Sequence, residues 1–82
     1  MTTCALLCHP ADTVGIALEP LAAGETLRLG GRACVIAGPV PKGHKFALVA
    51  HEAGKAVRRY GEAIGRATRA IAAGEHVHSH NL

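Results

Sequence analysis

Three histidines alternate at the end of the chain: His76, His78 and His80. Along an extended strand, side chains two apart share a face, with neighbours about 6.5–7 Å apart. Imidazoles at that spacing can converge on one cation, because each reaches a transition metal through a ring nitrogen at roughly 2.0–2.1 Å. The same alternation also describes a solvated polar face at a frayed chain end. Glu75 is the one carboxylate beside them, so further carboxylate ligands would have to come from elsewhere. A second group is Gly43-His44-Lys45 on a turn. Small residues there expose backbone N–H groups, Lys45 can meet a carboxylate, and His44 is a candidate acid or base. Tyr60 can bond a hydroxyl group, although as one of only two aromatic rings it also suits the core with its own hydroxyl at the rim. Lys45, Tyr60 and Asn81 are the candidates for contact with a small polar ligand. Cys4-x-x-x-Cys8-His9 lacks the second ligand pair that makes a zinc motif specific, and these cysteines read as small buried hydrophobes.

The elements that must position these residues are announced by a recurring phrase: apolar, two residues, Gly, two residues, apolar. It occurs as Leu21-Ala-Ala-Gly24-Glu-Thr-Leu27, Val40-Pro-Lys-Gly43-His-Lys-Phe46, the looser His51-Glu-Ala-Gly54-Lys-Ala-Val57, and Ile71-Ala-Ala-Gly74-Glu-His-Val77. Such a phrase predicts a tight turn, with Gly at positive φ and the apolar flanks returning to a shared core. Its period is too short and irregular for a solenoid, so residues 1–82 are expected to form one compact domain. Between the turns, strands are expected around Val14–Leu18, Thr26–Leu29, Ala33–Ala37, Phe46–Ala50, Ala56–Tyr60 and His76–His80, with Gly30-Gly31 as a hairpin turn. Residues 62–73 are ambiguous. Ile64, Ala67, Thr68 and Ile71 fall at helical spacing, whereas Gly61 and Gly65 oppose a helix, which favours strand plus a short helical turn.

Composition narrows the function classes. A domain of 82 residues buries only about 60% of the surface of its unfolded chain, so a partner surface is expected to contribute to its stability. The formal net charge is +3, with scattered cations apart from Arg58, Arg59, Arg66 and Arg69. Two aromatic residues make a poor stacking platform, which argues against nucleic acid. Every apolar run is broken short of the ~20 residues that span a bilayer. Three cysteines and an N-terminus without a signal-type pattern predict the cytoplasm.

Taken together, Lys42-Gly-His-Lys-Phe-Ala-Leu48, Gly54 to Tyr60-Gly61, Ile64-Gly65-x-Ala67-Thr68 and the closing Gly74-Glu-His-Val-His-Ser-His-Asn81 resemble the N-terminal domain of altronate and galactarate dehydratases. Asp12-Thr-Val-Gly-Ile-Ala-Leu18 followed by Leu21-x-x-Gly24 is similar to the start of that domain. The resemblance implies a SAF domain with the β-clip fold: mostly β, with short strands, tight Gly turns and at most one short helix. It implies a stand-alone small subunit or excised N-terminal domain of a dehydratase acting on sugar-derived hydroxy acids. It further implies a divalent metal, iron or manganese in preference to zinc, and a larger catalytic lyase subunit or domain as partner; a homo-oligomer is compatible with it. On this reading His76, His78 and His80 are ligands and His44 and Lys45 catalytic residues, with Lys45, Tyr60 and Asn81 at the substrate. The alternatives are the small subunit of a sulfolactate sulfo-lyase-like enzyme and a non-catalytic binding or assembly module of the same fold.

Overall fold

Each apolar-x-x-Gly phrase folds as a turn. Gly24, Gly43, Gly54 and Gly74 all have positive φ, between 82° and 88°. These glycines appear in a computed structural model that describes residues 5–7, 9, 11–29, 31–78 and 81. Cys4, Cys8, Gly30 and His80 lie outside the described residues. The leading residues of the four phrases pair two by two, Leu21 with Val40 and His51 with Ile71, each pair as an isolated antiparallel bridge. Both backbone bonds are made in each bridge, at 2.8–3.0 Å.

This pairing reveals a duplicated unit. In the first copy, the Gly24 N–H donates to the Ile36 carbonyl and the Ile36 N–H to the Glu25 carbonyl. In the second, Gly54 donates to Ala67 and Ala67 to Lys55 in the same way. Each copy encloses a hairpin: β3 (Thr26–Leu29) with β4 (Arg32–Val35), and β6 (Ala56–Arg59) with β7 (Glu62–Arg66). Each ends in a strand of a shared antiparallel sheet ordered β1-β2-β5-β8, where β1 is Ala5–Leu6, β2 Val14–Ala17, β5 Lys45–Ala47 and β8 His76–Val77.

Two small cores flank that sheet. Ala17, Leu21, Cys34, Ile36, Val40, Phe46 and Leu48 belong to one, and Val14, Ala47, Val57, Ala67, Ile71 and Val77 to the other. The division follows strand alternation, since successive residues of β5, Phe46 and Ala47, enter opposite cores. Phe46 needs room that only glycine gives: a Cβ at Gly15 would lie 2.7 Å from its ring.

Residues 62–73 contain no helix, contrary to the short helical turn the sequence suggested. A register shift between Val57 and Arg58 leaves Ile64 outside the paired residues of β6 and β7, 41% exposed, while Ala67 and Ile71 reach the second core. The apparent helical spacing is thus an irregular hairpin followed by a bridge. Strand β8 is also shorter than expected, ending at Val77, and Tyr60 lies in the β6–β7 turn at φ 57°, 61% exposed rather than in the core. No described helix is long and apolar enough to cross a membrane.

The duplication places His51 where the first copy has Leu21. Its side chain is buried, and among the described residues neither ring nitrogen makes a hydrogen bond of good geometry, the Val49 backbone being the polar group that acts on the ring. Burial pushes its pKa below the usual imidazole range, with the Val49 backbone pulling more weakly the other way. Folded His51 therefore resists a proton that the unfolded chain accepts below about pH 6.5. Titration of this group leaves stability unchanged above that pH and lowers it as pH falls toward the lowered folded pKa. His51→Leu is expected to raise stability by about 1–3 kcal/mol near neutrality, by removing unpaired buried nitrogens. It should also flatten the decline between pH 7 and 5. Urea unfolding across that range checks both, and an unaltered acid slope would refute the assignment.

Candidate metal centre

The pairing of β5 with β8 brings together two histidine-bearing segments distant in sequence. His44 is the last residue of the turn at Gly43: its N–H donates to the Pro41 carbonyl at 3.1 Å and its carbonyl accepts from the Ala17 N–H at 2.9 Å. Across the sheet, Phe46 is in register with His76 and Lys45 with Val77. Alternation puts His44, Phe46, His76 and His78 on one side of the sheet and Val77, fully buried, on the other.

The three imidazoles meet. Ring centroids of His44 and His76 are 5.0 Å apart, those of His44 and His78 4.6 Å, and those of His76 and His78 5.6 Å. Nδ1 of His44 lies 2.9 Å from Nε2 of His76. One ligand atom from each ring falls within 4.8 Å of the others. His44 and His76 are half-buried and His78 is exposed, so the cluster has an open side.

The arrangement suits a cation. Two nitrogens each bound at roughly 2.0–2.1 Å in cis positions lie about 2.9–3.4 Å apart, and the His44–His76 separation falls within that span. Without a metal the same contact is an N–H···N hydrogen bond, in which one ring carries the proton and the other the lone pair. Imidazole donors accept several divalent transition metals, so the donor set fits without selecting one ion.

Asn81 holds the segment in shape. It is fully buried; its Oδ1 accepts from the His78 N–H at 3.0 Å, and its Nδ2 donates to the His76 carbonyl at 2.8 Å and to Glu75 Oε2 at 3.1 Å. Its own N–H donates to the His78 carbonyl, and its carbonyl accepts from the Thr68 N–H. The amide is engaged within the fold, so the geometry makes Asn81 an organiser of the histidine segment rather than a ligand-facing group. Glu75 is likewise engaged: Oε1 accepts from the Ala72 N–H, and Oε2 meets Asn81 and Arg69.

The remaining candidates fall elsewhere. Lys45 shares its register with Ile16 and Val77, on the side of the sheet away from His76. Tyr60 contacts Arg59 through its ring and hydroxyl, and its backbone N–H donates to Asp12. His80 lies outside the described residues, and the third ring of the cluster is His44, which the sequence suggested as an acid or base. Its equivalence to the terminal histidines is visible only once β5 is paired with β8. Sequence reasoning also passed over Asp12 and His51, both buried; for Asp12 the available signal was an acid just ahead of an apolar run.

Comparison with known proteins agrees with this architecture. A family model described as the altronate/galactarate dehydratase SAF domain matches residues 3–82. Altronate dehydratase of Escherichia coli strain K12 is 42% identical over 73 residues, covering 89% of this chain and 15% of that protein. Altronate dehydratase of Bacillus subtilis strain 168 is 36% identical over 73 residues, with the same shares covered. The chain thus spans about 15% of the length of the curated relatives it matches. Duplicated turns, a small mostly-β fold and a match over nearly the whole chain lead to one conclusion: this chain belongs to the altronate/galactarate dehydratase SAF domain family.

Proposed function

We propose that this domain is the small part of a metal-dependent hydro-lyase that removes water from sugar-derived hydroxy acids such as altronate or galactarate, acting with a larger catalytic lyase subunit or domain. The observation that carries the reading is the convergence of His44, His76 and His78 in a domain whose relatives are altronate dehydratases. These three residues would hold a divalent cation, and the likeness to the dehydratase family favours iron or manganese over zinc. When bound, such an ion supplies Lewis acidity toward a carboxylate or hydroxyl oxygen of the substrate.

The chain's own residues supply position rather than acid–base chemistry. His44 and His76 fix two nitrogens through paired strands, and His78 presents a third on the open side. Asn81 sets the turn that aims His76 and His78. The described cluster contains no carboxylate, so the base that abstracts a proton and any acidic ligands are assigned to the larger part of the enzyme. Lys45, on the other side of the sheet, takes no part in holding the ion.

Three outcomes test this reading. Titration of the isolated domain with Co²⁺ should give one site, and His76→Ala should weaken it at least about tenfold while circular dichroism is unchanged. Asn81→Ala should cost roughly 1–3 kcal/mol in urea unfolding and weaken Co²⁺ about 10–100-fold, because buried donors and acceptors lose partners and the ligands lose their support. Unchanged Co²⁺ affinity would confine Asn81 to a structural role. In the assembled lyase, chelation should abolish dehydration of altronate, and His44→Ala or His78→Ala should lower kcat/KM by about 100-fold or more. Full turnover by the larger part alone would make this domain a non-catalytic module.

A further inference from the structure

The β6–β7 hairpin has properties that neither the cores nor the histidine cluster explain. Residues 55–66 contain Lys55, Arg58, Arg59 and Arg66 against the single acid Glu62, so this hairpin carries the whole formal net charge of +3. Elsewhere cations and acids cancel. The same hairpin exposes two of the large hydrophobic side chains, Tyr60 and Ile64.

Its tip is held rather than loose. Tyr60 sits at φ 57°, a conformation that residues with a Cβ rarely adopt. A buried carboxylate fixes it there: Asp12 Oδ2 accepts from the Tyr60 N–H at 3.0 Å and Oδ1 from the Gly61 N–H at 2.7 Å. The His9 ring covers Gly61, where a Cβ would lie 3.1 Å from it. Thr13 Oγ1 accepts from the Arg58 N–H, tying the same loop to the hairpin stem. Arg59 lies over the Tyr60 ring, 4.6 Å from its centroid, and its Nη2 donates to the phenol oxygen at 3.0 Å.

An aromatic ring and a guanidinium, locked together in an anchored turn, form a surface whose ordering cost is met before any partner arrives. Tyr and Arg are also the residue types that dominate binding energy at protein interfaces. We propose that Arg59, Tyr60 and Gly61 form a preorganised docking tip that seats in an acidic, apolar-lined notch on the larger catalytic lyase subunit or domain, with Ile64 and the neighbouring arginines at its rim. The proposal rests on the lyase reading above. The partner chemistry follows from the hairpin: its positive charge selects an acidic face, and a lone aromatic ring suits a pocket better than a run of stacked bases.

The test is calorimetric binding of the domain to the larger catalytic part of the lyase, purified without this domain, in the absence of substrate. Two variants are compared, Tyr60→Gly and Arg59→Glu. Tyr60→Gly removes the ring but relieves the positive-φ backbone, so its melting temperature should hold or rise while affinity falls at least about thirtyfold. Arg59→Glu should lose binding to a similar extent, and wild-type association should slow with added salt. Wild-type affinity in both variants overturns the docking tip and leaves the lyase reading intact. No binding by the wild-type domain, with its Co²⁺ site present, overturns the docking and the two-part enzyme together. A gel shift of a short RNA, lost in Arg59→Glu, would replace the protein partner with nucleic acid and also overturn the proposal.

Discussion

Gly74 is the point on which the rest of this fold depends. Its N–H donates to the Ala47 carbonyl at 2.7 Å in the middle of the central sheet, and its carbonyl accepts from the Ala37 N–H at 2.9 Å at the end of the first copy. The residue therefore links both halves of the duplication to β5. A side chain cannot be added: a Cβ would run into the Val35 carbonyl, and φ is +84°. Because β8 begins two residues later, this contact sets the height at which His76 meets His44. Close backbone approach at one glycine is thus the origin of the cluster's geometry.

The two copies share backbone wiring and differ in what they carry. The first holds the bulkier core, built on Phe46, Ile36, Leu21 and Leu48; the second is filled by Ala47, Ala67, Val14, Val57, Ile71 and Val77, with His51 in the place of a leucine. His44 comes from the first copy, so the cluster straddles both.

Much of this was legible in the residues. The apolar-x-x-Gly phrases identified all four turns because positive φ without steric cost is a local property of glycine. Four-residue strand β3 fell where its alternation put it, and the mostly-β SAF reading holds. Pairing was not legible. The four phrases gave no sign that Leu21 would join Val40 and His51 join Ile71, since bridges are set by long-range backbone contacts. The ligand set depended on that pairing: three alternating histidines suggested a cluster of their own, whereas the β5–β8 register brings in His44. Residues 62–73 misled for a related reason, because a one-residue irregularity in a hairpin imitates helical spacing. Tyr60 looked like core only because nothing in its neighbourhood revealed Asp12, 48 residues earlier in the chain, as the anchor of its turn.

The straddling position of the three imidazoles has a mechanical consequence. Any cation held by His44 from one copy and by His76 and His78 from the other acts as a clasp across the duplication. Ligation and folding then draw on the same free energy, since separating the halves destroys the site. At a free concentration a hundred times its dissociation constant, a ligand of the folded form alone adds about 2.7 kcal/mol, a large share for so small a domain. The ion that equips such a domain for chemistry also fastens its two halves together.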